Sequence, residues 1–185
     1  MPNDLFQVAT ERSVVAQSSG VRALAAVVVG TVLALLAAPE SVSSQYRFGL
    51  SIGGASMIAA VVERRWDERG VEMQLGSWGT RDLSLSVSAK QYFGARAVRP
   101  FAGAGLWIAV ARTDAGTGLG LVARAAAGAE RSFASRHAPA LTIYLNRALA
   151  VKRPSDRYSR PVRKGLVPIP ELSYRLSAES STAGG

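Results

Sequence analysis

Between Tyr46 and Leu176, apolar side chains recur at every second position rather than at every third or fourth. That period belongs to extended chain, whose successive side chains leave opposite faces. Residues 82–93 show it most cleanly: Leu83, Leu85, Val87 and Ala89 share one face, and Ser84, Ser86, Ser88 and Lys90 the other. Seven further segments repeat it. Phe48, Leu50 and Ile52 oppose Arg47, Gly49 and Ser51; Ile58, Ala60 and Val62 oppose Ala59, Val61, Glu63 and Arg65. Val71, Met73 and Leu75 oppose Glu72 and Gln74; Ala102, Ala104, Leu106, Ile108 and Val110 oppose Phe101, Gly103, Gly105 and Trp107. Leu119, Leu121, Ala123, Ala125 and Ala127 oppose Gly120, Arg124, Gly128 and Glu130. Leu141, Ile143 and Leu145 oppose Thr142, Tyr144 and Asn146; Leu172, Tyr174 and Leu176 oppose Glu171, Ser173 and Arg175.

Turn residues separate these eight candidate strands, at 53–54, 67–70, 79–80, 94–100, 114–116 and 132–139. Strands and turns together use up nearly all of residues 45–177, which leaves little for a second domain. In residues 121–129 a helix competes with the strand, because alanine favours helix; Gly118, Gly120 and Gly128 argue for the strand.

Alternation alone also fits a soluble barrel, so the polar face has to decide. On a soluble barrel that face meets water and is densely charged. Here it carries glycine, serine and alanine with sparse ions of both signs: Arg47, Glu63, Arg65, Glu72, Lys90, Arg124, Glu130, Glu171 and Arg175. Small residues and paired ions suit the narrow lumen of an eight-stranded barrel, and the continuous apolar face suits lipid. Arg64 and Arg147, charged exceptions on that face, sit near strand ends, where long side chains reach the interface. Tyr46, Phe48, Trp66, Trp78, Tyr92, Phe93, Phe133 and Tyr174 also lie near strand ends and are expected to form interfacial belts, with Trp107 filling the lumen. The expected fold is all-β: an eight-stranded, antiparallel, up-and-down transmembrane β-barrel behind a helical signal peptide.

That leader is read from residues 23–38, apolar except for Gly30 and Thr31, preceded by Arg22 and ended by Pro39. A basic flank, an apolar stretch and then small residues describe a secretory signal, with cleavage near Ser43 or Ser44. The competing reading is a membrane anchor with residues 1–22 in the cytoplasm, for which the apolar run is short. The expected organisation is a leader over 1–44, a barrel over 45–177 and a disordered polar tail over 178–185. There is no cysteine, so rigidity has to come from the hydrogen-bonded wall rather than from disulfides.

The run Arg99-Pro100-Phe101-Ala102-Gly103-Ala104-Gly105-Leu106 resembles the RPYxGxGxG strand opening of small outer-membrane barrels of the OmpA/OmpX/OmpW-like superfamily. Glu63-Arg64-Arg65-Trp66, Ala127-Gly128-Ala129-Glu130-Arg131 and Ser173-Tyr174-Arg175-Leu176 resemble strand ends of the same superfamily, in the same order. The resemblance spans residues 46–177 and implies an outer-membrane location, the barrel insertion machinery as a partner, and outer-membrane lipid around the wall. The chain departs from the family in its polar tail after Leu176, and in Pro168 and Pro170, which predict a short or late-starting last strand.

If both termini are periplasmic, the longest outward loop is 151–165. It holds Lys152, Arg153, Arg157, Arg160, Arg163 and Lys164 against Asp156, and part of the net charge of +9. Clustered cations beside an outer leaflet suggest contact with lipopolysaccharide phosphates; the plainer reading is a solvated loop. An exported chain does not meet nucleic acid. The one histidine, His137, lies near Ser135, and that spacing alone does not make a catalytic dyad. Residues 116–120 mimic a dinucleotide loop but lack the strand–loop–helix context. The expected function is non-enzymatic, without cofactor or metal, in a monomer: structural, adhesive, or passing small hydrophobic solutes. The alternatives are a soluble periplasmic barrel with Trp107 and Phe101 lining an apolar ligand cavity, and a hydrolase using His137.

Overall fold

The computed structural model describes residues 44–114, 116–134, 136–153 and 165–178. They form eight strands: β1 (Ser44–Gly53), β2 (Ser56–Trp66), β3 (Arg69–Ser77), β4 (Asp82–Tyr92), β5 (Val98–Thr113), β6 (Gly116–Arg131), β7 (His137–Lys152) and β8 (Val167–Ser177). Each pairs antiparallel with the next, and β8 pairs with β1, closing the barrel. Apart from Ser44, the expected leader lies outside the described residues, as do residues 179–185.

Residues 121–129 are strand, within β6. They hydrogen-bond to β5 on one side and β7 on the other. Pairing on both sides gives the backbone its partners, which outweighs a helix preference of a few tenths of a kcal/mol per residue.

Proline-containing segments extend the strands further than their sequence predicts. Val98 to Pro100 belong to β5, His137 to Pro139 to β7, and β8 begins at Val167 rather than after Pro170. The reason is where each ladder stops. The Pro170 carbonyl accepts from the Gly54 N–H at 3.0 Å, so its nitrogen faces β1, whose paired residues end at Gly53 opposite Glu171. Likewise the Pro100 carbonyl accepts from Phe93 N–H at 2.9 Å, one residue past the last β4 partner, Tyr92. Each ring therefore removes a donor where no ladder needs one.

The register fixes the dimensions. Paired residues lead from Arg147 through Ala123, Leu106, Val87, Met73, Val62, Phe48 and Leu176 to His137, ten residues below the start on β7. With about 3.3 Å per residue and about 4.8 Å between strands, that stagger tilts the strands about 40° and gives each residue about 2.5 Å of height. Strands β1–β4 and β8, with 9 to 11 residues, span the height of an apolar band about 25 Å tall. Strands β5, β6 and β7 have 16 residues each. At the end opposite Ser44 and Ala178 they rise about 10 Å above their neighbours.

Polar side chains occupy the inside and apolar ones the outside. Leu50 is 62% exposed and its neighbour Ser51 1%; Leu172 is 58% exposed and Arg175 0%. Leu83, Leu75, Ile58, Leu141 and Ile143 are exposed on the same outer surface. Several residues depart from expectation, among them Val71 and Arg64, cross-strand partners in the outer phase that are nearly covered. Tyr92 is fully covered inside instead of joining an interfacial belt, because it keeps the inward phase of Ser88 and Lys90 and pairs with Phe101. Leu121 shares the face of its partner Ile108 yet is nearly covered, beside the point where β6 and β7 shift register.

Candidate functional site

The lumen gathers all nine charged residues of the polar face, each at most 6% exposed. Alternation puts each one inward; the stagger puts them level with one another. Near the Ser44 end, Glu130 Oε1 on β6 accepts from Arg47 Nη1 at 2.7 Å and from Arg65 Nη1 at 3.3 Å. Glu130 Oε2 accepts from Arg175 Nη1 at 3.3 Å. Glu63 accepts from the Tyr92 hydroxyl, with Arg175 Nε at 3.7 Å and Arg47 Nη1 at 3.9 Å from its other oxygen.

One level up, Glu72 Oε2 accepts from Lys90 Nζ at 2.7 Å and from Arg175 Nη2. Gln74 Nε2 bridges two carboxylates, 3.1 Å from Glu72 Oε1 and 2.9 Å from Glu171 Oε1. Above them Arg124 donates to Ser86 Oγ at 2.5 Å and Asn146 Oδ1 at 3.1 Å, with its guanidinium 3.6 Å from the Tyr144 ring centre. Arg175 thus joins carboxylates from β2, β3 and β6, and the network crosses the barrel from wall to wall. Charges this deep are tolerable only when partnered: seven of the nine are ion-paired, while Glu171 and Arg124 are held by the neutral groups of Gln74, Ser86 and Asn146.

Sequence reading assigned the charges but not their neutral partners. Tyr92, Gln74, Tyr144, Asn146 and Ser86 each complete the network, and all lie in the inward phase of their strands. Trp107 lies in the lumen as expected, donating to Ser84 Oγ at 2.7 Å, and Ser84 Oγ donates to the Ala55 carbonyl at 2.6 Å. The β1–β2 turn is held over the lumen in this way. At Gly54, with φ +72, a Cβ would run into the Glu171 carboxylate, so the turn needs glycine both for its backbone and for space.

Polar side chains stand where an apolar cavity between Trp107 and Phe101 was expected. Phe101 is buried under Tyr92 (centroids 5.4 Å apart) with Lys90 Nζ 4.8 Å above its ring, and Trp107 sits among serines and Arg124. Both lie in the phase that the charges occupy. His137 opens β7 on the outer rim, stacked on Phe133 at 5.1 Å and touching the Tyr174 hydroxyl through Nδ1. Its candidate partner Ser135 lies outside the described residues. Of the basic loop, Lys152 and Arg153 are exposed at the raised end, and Arg157, Arg160, Arg163 and Lys164 lie outside the described residues.

No family model and no curated protein matches the sequence. Among solved structures, the N-terminal β-barrel domain of Pseudomonas aeruginosa OprF matches with a TM-score of 0.54 at 14% identity, covering 73% of this chain and 96% of that one. The chain has the outer-membrane β-barrel fold. Neisserial surface protein A (NspA) matches with a TM-score of 0.43 at 13% identity, over 72% of this chain and 94% of its own. The inverted faces are those of a barrel whose wall meets hydrocarbon rather than water.

Proposed function

We propose that this chain is a non-enzymatic outer-membrane barrel with a closed lumen, serving as a structural or adhesive element of the cell envelope. One observation carries the reading: four carboxylates are buried inside at 0–1% exposure while Leu50, Ile52 and Leu141 lie 60–62% exposed outside. In water that arrangement wastes hydrophobic burial; in a bilayer it satisfies both surfaces. Transit of solutes is disfavoured because Arg175 ties three walls together across the lumen. The secretory signal over 1–44 delivers the chain, cleavage near Ser43 or Ser44 releases it, and the insertion machinery places it as a monomer. In this reading the basic stretch of Lys152, Arg153, Arg157, Arg160, Arg163 and Lys164 meets the phosphates of lipopolysaccharide.

Fractionation tests this reading. The processed protein is expected in the outer-membrane fraction, extractable only with detergent, and running faster on an unheated gel than on a heated one. Recovery as a detergent-free soluble monomer overturns it and favours the periplasmic alternative.

A further inference from the structure

The wall steps up between β4 and β5. Asp82 opens β4 opposite Ala111, while β5 continues through Arg112 and Thr113. The loop before Asp82 is tied to this step by the Arg112 N–H, which donates to the Arg81 carbonyl at 2.8 Å. The result is an open groove of about 590 Å³ whose lining includes Arg81, Asp82, Leu83, Val110, Arg112 and Asp114.

The groove has an aliphatic floor and a cationic rim. Leu83 and Val110 are cross-strand partners on the outer face, and Leu83 is 54% exposed. Arg112 has the same phase as Val110, two residues farther along β5, so it stands about 5 Å higher. With Leu83 and Val110 at the edge of the hydrocarbon, a guanidinium about 5 Å higher is level with lipid phosphoryl groups, since headgroups add about 5–7 Å to each side of the core.

Both carboxylates of the groove are engaged. Asp82 Oδ1 accepts from Ser77 Oγ at 2.9 Å and from Trp78 N–H at 2.6 Å, and Asp114 Oδ1 accepts from Arg81 Nη1 at 3.0 Å. The Arg112 guanidinium has no partner among the described residues. Its planar fork suits two phosphoryl oxygens.

We propose that this corner binds the phosphoryl group of an acylated outer-leaflet lipid, with Arg112 and then Arg81 holding the oxygens and Leu83 and Val110 lying along the proximal acyl carbons. The site is separate from the basic loop, and it rests on the membrane reading above. A free phosphate satisfies the arginines but not the floor. Arg81 joins by exchanging its exposed contact with Asp114, a pair worth little in water.

The test uses the full chain in maltoside micelles, with the gel shift of every variant confirming that it folds. Bisphosphorylated lipid A, dephosphorylated lipid A, phosphatidylglycerol and inorganic phosphate are titrated separately, read by native mass spectrometry and by Trp78 fluorescence. Lipid A is expected to bind, with Arg112→Gln weakening it about tenfold, Arg112→Lys less, and Arg131→Gln at the opposite rim not at all. Comparable binding of phosphatidylglycerol supports the site with a phospholipid as its occupant. Equal binding by Arg112→Gln, equal binding of dephosphorylated lipid A, or a full response to inorganic phosphate overturns the proposal. A wild-type chain that inserts normally yet ignores every lipid overturns this inference alone; one that needs no detergent overturns the membrane reading as well.

Discussion

Arg175 on β8 reaches Glu72 on β3 across the lumen, joining two covered side chains 103 positions apart. The same guanidinium holds Glu130 and lies beside Glu63. Replacing it with methionine leaves three carboxylates facing one another without their shared cation. Arg175→Met is expected to cost about 3–5 kcal/mol, because the loss strands buried charges rather than merely removing a contact. Urea unfolding of the detergent-embedded barrel measures it; an unchanged midpoint contradicts the cross-lumen network.

Tyr92 and Tyr144 are both covered but differ in their bonds. The Tyr92 hydroxyl donates to the carboxylate of Glu63, whereas that of Tyr144 has acceptors only at 3.4 and 3.5 Å. Tyr92→Phe is expected to lose about 1.5–3 kcal/mol, the range for a bond to a charged group, and Tyr144→Phe less than about 1 kcal/mol. The reverse order in thermal or urea unfolding counts against these contacts.

Depth along the wall should govern the cost of an outward charge. Leu50 lies mid-strand on β1, and Ala150, the partner of Leu121 on the outer face, lies on the part of β7 that rises past the last β8 partner, Val167 opposite Asn146. Leu50→Arg is expected to destabilise the bilayer-inserted barrel by about 2–4 kcal/mol, and Ala150→Arg by no more than about 1 kcal/mol. Equal costs, measured by reversible folding into lipid vesicles, rule out hydrocarbon around the lower wall.

Gly105 and Gly120 both face the lumen side yet differ in their space. A Cβ on Gly105 meets the Ser88 Cα at 2.7 Å and also the Val87 carbonyl; one on Gly120 meets only the Ala109 carbonyl, at 4.0 Å. Gly105→Ala is expected to cost about 1–3 kcal/mol by forcing β4 and β5 apart, while Gly120→Ala is close to neutral. Unfolding midpoints of the two variants provide the comparison.

Much of this arrangement was readable along the chain. The phase of Leu83 against Ser84, or of Leu172 against Arg175, assigned each side chain to hydrocarbon or lumen, and so collected all nine charges of the interior. Tyr92 shows where that reading stopped short: its place at a strand end suggested a lipid belt, although its phase, two residues after Lys90, already put it inside. Pro168 and Pro170 were misleading because a missing N–H matters only on the side where a ladder runs, and sequence does not say where the neighbouring strand ends.

The sequence by itself determined which way each side chain faces, since alternation is a local property of an extended backbone. Only the tertiary structure decided which ions meet: the ten-residue stagger brings Arg175 level with Glu63, Glu72 and Glu130. It also decided that β5 outruns β4 and leaves Arg112 above Leu83. Height around a closed sheet is the accumulated sum of every strand's register, and no single segment encodes it.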